Sequence, residues 1–399
     1  MTKRYGRVGA VREPVLVPRL QPFTSTIFAE MTALATRTGA VNLGQGFPDT
    51  DGPAGMLDAA RAAIANGVNQ YPPCPGIPEL RAAIAGHRTR YGLRHDPDTE
   101  VLVTVGATEA IAAALLALVQ PGDEVIVIEP YYDSYAAAVA LAGATRTVVG
   151  LRLDDTGRFG LDLPALAAAI TPATRAILLN SPHNPTGTVF TRAELAQVAR
   201  MCVEHDLIAI TDEVYEHLTY DDTEHVPLAT FPGMAERTVS ISSAGKTFNC
   251  TGWKIGWVCA KPELLAAVRA SKQFLTFVGG APFQPAVAHA LRNELDWVEG
   301  LRAGLQTKRD RLVAGLAEAG FDVLPSLGTY FVCADVRPLG FEDGSELAFA
   351  LPERIGVAAV PVQVFTDHPE DWRHLVRFAF CKRDEVLDEA IRRLHKLRP

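Results

Sequence analysis

One polar segment between two apolar stretches carries residues whose types and spacing could do chemistry. Residues 242–257 join two predicted strands, 238–241 and 255–260, which are rich in β-branched and aromatic residues. A lysine on a loop between buried strands loses water, and this loss lowers its pKa and leaves a neutral amine that can condense with an aldehyde. Lys246 stands at that place in the sequence.

The same segment offers groups for a phosphate. Lys254 follows Lys246 by eight residues and lies between Gly252 and Gly256, where the missing side chains let a ligand approach the backbone. Together with the hydroxyl group of Ser243, the Lys254 ammonium could hold a phosphate. A ligand that has both an aldehyde and a phosphate is pyridoxal phosphate, so the segment predicts a site for this cofactor.

Strands and helices alternate in the part of the chain that precedes this segment. From residue 101 to residue 212 the alternation predicts an α/β fold with a mainly parallel sheet. Asn180 ends one predicted strand and Asp212 ends a later one. Because ligands of open α/β sheets bind at the carboxyl ends of the strands, we expect both near Lys246, although each alone could be a turn or helix-cap residue. The carboxylate of Asp212 could lie at the pyridine nitrogen of the cofactor and keep that nitrogen protonated. Glu213 could not replace it, because the next residue of a strand faces the opposite side of the sheet.

The chain beyond the lysine segment predicts long helices and then a second, smaller sheet. The helices are predicted at residues 262–272, 285–320 and 385–397, and the strands at 330–334, 357–361 and 375–380. Arg377 lies in the last strand, where a guanidinium among apolar residues demands a bidentate partner, either a core carboxylate or a substrate. Residues 1–22 mix basic residues with Pro and Gly and predict a partly disordered arm.

Length and charge restrict the class of protein. A chain of 399 residues is long enough for two subdomains and can bury roughly three quarters of its unfolded surface. The net charge of −8 argues against a nucleic acid or an anionic membrane as partner, because both normally need a basic face. The sequence shows neither a signal peptide nor an apolar run that could span a bilayer, so we expect a cytoplasmic enzyme.

Cysteine and histidine usage predicts neither disulfides nor a metal site. The six cysteines are widely spaced and form no C-x-x-C, which is typical of reduced, buried thiols. The ten histidines show no H-x-x-x-H or Cys-His spacing. His183, His205 and His217 are therefore predicted to be turn or helix-surface residues.

The chain resembles the class I, fold-type I pyridoxal phosphate aminotransferases. The resemblance is carried by the pattern Ser-x-x-Lys, followed eight residues later by a basic residue flanked by glycines, and by residues 42–49 and 376–378 in the expected order. It covers nearly the whole chain. It implies a large cofactor domain over residues 49–285 and a smaller α+β domain from residues 1–48 and 286–399, with residues 1–22 as an N-terminal arm.

The resemblance also implies which residues hold the cofactor. Lys246 would attach it covalently, Tyr132 would stack on its ring, and Tyr71 of a second subunit would reach its phosphate, which implies a homodimer with shared active sites. From sequence alone, Tyr132 could equally be core packing, and Tyr71 could be a surface tyrosine. The remaining implied cofactor-binding residues are Ala107, Thr108, Asn184, Asp212, Tyr215, Ser243 and Lys254.

The implied substrate site consists of Gly46, Asn184, Arg377 and Phe28. Arg377 would bind the α-carboxylate of an amino acid, Gly46 would face that carboxylate through its backbone, and Phe28 would close over the substrate. The implied reaction is transamination between an amino acid and a 2-oxo acid, with 2-oxoglutarate as the expected acceptor.

The expected donor follows from the nearest group within the family. Gly279 and Gly280 stand where kynurenine and glutamine transaminases carry an aromatic residue and a histidine. The resemblance implies that these positions face the pocket of the partner subunit, where the missing side chains would leave room for a long or acylated substrate side chain. The chain looks most like actinobacterial N-succinyl-diaminopimelate transaminases, with methionine, glutamine or aromatic amino acids as the alternative donors.

Three other functions are weighed against transamination. A β-lyase acting on cysteine conjugates could use the same scaffold. A regulator that binds the cofactor without turnover would need a basic DNA-binding module, and a nicotinamide dehydrogenase would need G-x-G-x-x-G. The sequence supplies neither of these two features.

Overall fold

The structure is a computed structural model that describes residues 15–397. Its strands are β1 (Val41–Asn42), β2 (Val101–Val105), β3 (Glu124–Glu129), β4 (Thr145–Leu153), β5 (Phe159–Leu161), β6 (Thr174–Asn180), β7 (Ile208–Asp212), β8 (Thr238–Ser243), β9 (Ile255–Cys259), β10 (Asp322–Val323), β11 (Phe331–Asp335), β12 (Val357–Ala358), β13 (Val360–Pro361) and β14 (Leu375–Ala379).

Helices separate most of these strands. They are α1 (Ile27–Thr38), α2 (Ala54–Ala65), α3 (Pro78–Arg88), α4 (Gly106–Leu118), α5 (Ser134–Ala142), α6 (Leu163–Ala168), α7 (Arg192–Glu204), α8 (Ala244–Thr247), α9 (Pro262–Lys272), α10 (Phe283–Asn293), α11 (Leu295–Glu318), α12 (Gly344–Arg354), α13 (Pro369–Trp372) and α14 (Asp384–Leu394).

An eight-stranded sheet forms the centre of the molecule. Its strand order is β2-β9-β8-β7-β6-β3-β4-β5. Strand β9 runs antiparallel to β2 and β8, and β5 runs antiparallel to β4, whereas β8, β7, β6, β3 and β4 pair in parallel. The prediction of a mainly parallel α/β sheet is confirmed.

Both faces of this sheet are covered, as an interior parallel strand requires. In β3, Val125 and Val127 pack into the apolar cluster that contains α4, α5 and α9 residues. Their neighbours Ile126 and Ile128 pack into the opposite cluster, which contains α6 and α7 residues. The near-continuous apolar run of β3 therefore reflects burial on two sides.

A second sheet carries Arg377. Its order is β10-β11-β14-β13, all pairs are antiparallel, and residues of α11, α12 and α14 pack against it. The eight-stranded sheet uses residues 101–259 and this sheet uses residues 322–379. The domain boundaries at residues 49 and 285 stay predictions.

Several predicted elements differ in the structure. The helix predicted at residues 285–320 is two helices, α10 and α11, which break at Glu294. The Asn293 side chain donates to the His289 carbonyl at the end of α10, and such local bonds compete with helix propagation. The strand predicted at residues 357–361 is also divided, because β12 pairs with β1 whereas β13 pairs with β14.

The predicted N-terminal arm is partly ordered. Residues 1–14 lie outside the described residues, but Pro18–Phe23 form a 3₁₀ helix. Proline at its start supplies a φ angle suited to a helix. This helix lies at the end of the arm that was predicted to be partly disordered. Within the described part of the chain, no helix combines the length and the apolar character needed to cross a bilayer.

Candidate active site

The carboxyl edge of the large sheet brings the predicted polar residues together. Asn180 and Asp212 are register partners at the ends of β6 and β7, and Ser243 ends the next strand, β8. They line a cavity of about 330 Å³. This cavity also contains the other predicted site residues of the chain except Tyr71, namely Phe28, Gly46, Ala107, Thr108, Tyr132, Asn184, Tyr215, Lys246, Lys254 and Arg377.

Lys246 lies on the short helix α8 directly after β8, with its amine in the cavity. Its Nζ donates to the Tyr330 hydroxyl at 2.7 Å. Burial lowers the pKa of Lys246 to about 8, although nearby groups such as Asp212 favour its charged form. At pH 7 roughly a tenth of this amine is therefore in the neutral form that a nucleophilic lysine requires.

Asp212 is almost completely buried beside this lysine. Its Oδ2 accepts from the Tyr135 hydroxyl at 2.6 Å, and its Oδ1 accepts from the Val214 amide at 3.3 Å. Burial raises the pKa of Asp212, and these two hydrogen bonds oppose the rise. Glu213 points away and pairs with Arg88 at 2.7 Å. The strand alternation therefore separates the two carboxylates, as predicted.

A tight contact between β9 and the start of α4 forms a cradle for an anion. Gly106 has φ +74°, and a Cβ there would lie 3.1 Å from the Lys254 amine. A Cβ on Gly256 would lie 2.6 Å from the Gly106 carbonyl carbon. Both positions need glycine. Ala107 and Thr108, in the first turn of α4, line the same cavity as Lys254. A helix N-terminus with an adjacent ammonium suits a phosphate.

Arg377 is a buried guanidinium without a carboxylate partner among residues 15–397. It is 1% exposed, donates to Asn184 Oδ1 at 2.9 Å and to the Gly44 carbonyl at 3.0 Å, and leaves Nε unpaired. The ring of Phe331 lies 4.0 Å from its Cζ. The core salt bridge that the sequence left open is therefore not formed, and a charged group with spare donors faces the cavity.

Comparison with known proteins agrees with this geometry. A sequence profile of the family "Aminotransferase class I and II" matches residues 38–394. The chain belongs to the class I and II aminotransferases. Members of this family generally depend on pyridoxal phosphate.

Individual relatives of the aminotransferase cover almost its full length. It is 62% identical over 390 residues to the probable N-succinyldiaminopimelate aminotransferase DapC of Mycobacterium tuberculosis, which is 96% of this chain and 98% of that protein. The solved structure of that M. tuberculosis enzyme superposes with a TM-score of 0.94 at 63% identity, covering 96% of this chain and all of the other. The methionine aminotransferase of Escherichia coli is 40% identical over 385 residues, covering 96% and 99% of the two chains.

Tyr71 is the predicted site residue that lies outside the cavity. It is 82% exposed and its ring packs edge-on against Phe277 at 5.7 Å. It lines a separate surface depression together with Gly279 and Gly280. Within one chain of the aminotransferase, Tyr71 is therefore not part of the lining of the main cavity around Lys246.

Two residues of the site were missed by sequence reasoning. The Tyr135 hydroxyl donates to Asp212, and the Tyr330 hydroxyl accepts from Lys246. Tyr135 follows Tyr132 by three residues at the start of α5, a helical spacing that could have identified it. Tyr330 carried no such signal, because it precedes a strand whose neighbours are apolar.

The prediction of turn or helix-surface positions is confirmed for His217, which lies in a turn, and for His205, but it did not include the burial of two of the three histidines. His183 and His217 are buried, whereas His205 is exposed at the end of α7. His217, His87 and Glu216 offer ligand atoms within 4.8 Å of one another, an arrangement that could hold a metal ion. However, Arg90 Nη2 lies 2.9 Å from Glu216 and Arg88 Nη1 lies 3.4 Å from it, so guanidinium groups already neutralise this carboxylate.

Proposed function

We propose that this aminotransferase binds pyridoxal phosphate through Lys246 and transfers an amino group from an amino acid to a 2-oxo acid. The observation that carries the proposal is the Lys246 amine, whose pKa burial lowers to about 8, in one cavity with the buried carboxylate of Asp212. The cofactor, when bound, supplies an aldehyde that condenses with amines and a ring that accepts electrons from the substrate.

The residues of the cavity fit this cofactor. Lys254, Ser243 and the amides of Ala107 and Thr108 would hold its phosphate in the cradle beside Gly106. Tyr132 would face its ring, and Asn184 and Tyr215 would bind the ring hydroxyl. Burial raises the pKa of Tyr215 well above its usual range, so its phenol stays protonated and can donate.

Two ionisable residues, Lys246 and Asp212, would carry the chemistry. Lys246, as a neutral amine, would take the proton from the substrate Cα and hold it between steps as a general base and acid. Asp212 would keep the pyridine nitrogen protonated, because an anion without competing solvent favours the cationic form of its neighbour.

Arg377 would bind the substrate carboxylate, with Phe28 and the Gly46 backbone beside it. The Arg377 Cζ lies 5.4 Å from the centre of the Phe28 ring. We expect Arg377→Lys to weaken amino-acid and oxo-acid substrates alike by about tenfold to a hundredfold, since a planar fork that contributes roughly 1.5–3 kcal/mol per charge-assisted bond is lost. Dissociation constants from spectral titration measure this effect.

The matched control for this variant is Arg309→Lys. Arg309 is also buried and binds Asp221, but it lies outside the cavity. It should change thermal stability without changing substrate affinity. Equal losses of cofactor and substrate affinity in Arg377→Lys would instead assign Arg377 a structural role.

We infer that N-succinyl-LL-diaminopimelate is the amino donor. The support is the 62% identity to the probable N-succinyldiaminopimelate aminotransferase. Methionine is the alternative because of the 40% identity to the E. coli methionine aminotransferase. A donor panel with 2-oxoglutarate tests the choice, and the succinylated donor should exceed methionine in kcat/KM by at least about a hundredfold, or roughly 2.7 kcal/mol.

Substitution of Gly279 tests the choice of donor more directly. Gly280 cannot be filled, because its φ is +63° and a Cβ there would lie 2.3 Å from Ile255 Cδ1. Gly279→Phe should lose the succinylated donor selectively, while Gly279→Ala makes the same 2.9 Å contact with Val105 without adding a ring. If both variants treat all donors alike, these glycines do not set donor size. Release of pyruvate and ammonia from cysteine conjugates would indicate the β-lyase.

We propose a homodimer in which Tyr71 of one subunit completes the partner's site. Phe274, Leu275 and Phe277 are exposed, at 85%, 45% and 44%, and the ring of Phe277 packs against Tyr71. An exposed apolar patch of this kind supports a subunit contact. Tyr71→Phe subunits mixed with Lys246→Ala subunits should recover about a quarter of wild-type activity, because half of randomly formed dimers are mixed and each holds one intact site.

The mixing experiment has a built-in control. Lys246→Ala subunits mixed with Asp212→Asn subunits should show no recovery, because both of these residues line the cavity of one chain. Absence of recovery in the Tyr71 mixture, with mixed dimers demonstrated by mass spectrometry, would contradict a shared site.

A further inference from the structure

Tyr330 provides the one hydrogen bond that the Lys246 amine makes among the described residues. The Lys246 Nζ and the Tyr330 oxygen are 2.7 Å apart, and the same oxygen lies 2.6 Å from the Gly46 carbonyl. A phenol has one hydrogen, and the Gly46 carbonyl can only accept, so Tyr330 donates to Gly46. The bond to Lys246 is therefore one in which the amine donates and the phenol oxygen accepts.

Burial, a ring contact and a backbone hydrogen bond restrict the position of the Tyr330 phenol. Tyr330 is 1% exposed, its ring stands perpendicular to that of Tyr215 at 5.2 Å, and its carbonyl accepts from the Phe380 amide beside the strand of Arg377. Burial raises the pKa of Tyr330 well above its usual range. The group is thus a rigid, neutral hydrogen-bond acceptor aimed at the lysine amine.

Tyr330 also joins the lysine to the loop that contains Gly44 and Gly46 and lines the cavity. Gly46 receives the phenol hydrogen, and Gly44 of the same loop accepts from Arg377. Gly46 has little freedom to shift, since a Cβ there would lie 2.5 Å from the Phe331 ring. The lysine amine, the loop and the buried guanidinium consequently share one hydrogen-bonded framework.

We propose that Tyr330 is a positioning residue that holds the Lys246 amine whenever the amine is not bonded to the cofactor. This inference rests on the proposed function, in which a substrate amine displaces Lys246 and the freed amine must stay beside the substrate Cα. Without the phenol, the long lysine side chain would sample other rotamers, and productive geometry would be lost in part.

Competitive acetylation of the full-length protein freed of cofactor tests the proposal without relying on activity. Acetic anhydride is added between pH 6 and pH 10, and mass spectrometry quantifies the acetyl group on the Lys246 peptide. Because a phenol acceptor stabilises the ammonium form, Tyr330→Phe should lower the apparent pKa of Lys246 by about one unit. The acetylation profile of Lys261, which pairs with Glu100, should stay the same.

Tyr220→Phe is the matched control. Tyr220 is another buried tyrosine, whose hydroxyl donates to the carbonyl of Thr329, the residue next to Tyr330. It should leave the Lys246 profile unchanged. An unchanged profile in Tyr330→Phe, or an equal shift in Tyr220→Phe, overturns the proposal.

Two further measurements test the role of Tyr330. In the loaded enzyme, Tyr330→Phe should slow the single-turnover half-reaction about tenfold, with less than a twofold change in the amino-acid dissociation constant. If Tyr330→Phe does not fold, uniform 3-fluorotyrosine labelling, which weakens the phenol oxygen as an acceptor, should lower the same pKa, and no shift would overturn the proposal. Borohydride trapping of pyridoxal phosphate on Lys246 tests the proposed function separately.

Discussion

Lys246→Ala should abolish covalent attachment of the cofactor and lower the rate of amino transfer by about four orders of magnitude. A general base alone contributes roughly 10²- to 10⁴-fold, and this lysine would also form the covalent bond. Borohydride reduction of the wild-type enzyme with its cofactor, followed by peptide mapping, should find the pyridoxyl group on the peptide that contains Lys246.

The other lysines near the site make this test specific. Lys254 is proposed to bind the cofactor phosphate, and the buried Lys272 donates to the Cys74 and Phe277 carbonyls outside the cavity. A pyridoxyl group on either lysine would contradict the assignment. Lys261→Ala is the matched control, since it removes a surface lysine that pairs with Glu100, and it should leave cofactor binding and rate unchanged.

Asp212→Asn should leave the cofactor attached but slow removal of the Cα proton by about 150- to 5000-fold. This factor corresponds to the roughly 3–5 kcal/mol typical of breaking a buried ion pair. Asparagine keeps the shape of the side chain, so the loss reports on the charge. Single-turnover rates with deuterated and undeuterated amino acid measure the step itself.

Tyr135→Phe removes a hydrogen bond to Asp212 and leaves the charge of Asp212 in place. The Tyr135 hydroxyl donates to Asp212 at 2.6 Å. Its loss should lower the single-turnover rate about tenfold, which corresponds to a hydrogen bond to a charged group.

For Asp212→Asn, a full-size isotope effect with an unchanged rate would mean that the carboxylate does not support the chemistry.

Local sequence signals were sufficient wherever one short stretch determines the environment of a residue. The alternation of strands and helices predicted the parallel sheet, and the rule that ligands meet the carboxyl ends of strands placed Asn180 and Asp212 together. The period-two alternation of strand residues correctly predicted that Glu213 faces away from Asp212. The loss of water around Lys246 could be predicted, because the apolar composition of the strands on both sides of its segment already indicates that they are buried.

Tertiary structure alone decided the contacts between residues that are distant in the chain. Tyr330 meets Lys246 across 84 residues, and the need for glycine at position 256 arises only because β9 lies against the start of α4. His217 is buried because α3 packs His87 against it, and nothing in its turn reveals that neighbour. Such contacts depend on strand register and on the packing of elements far apart in sequence, whereas a sequence pattern reports only whether a residue is buried and which way it faces.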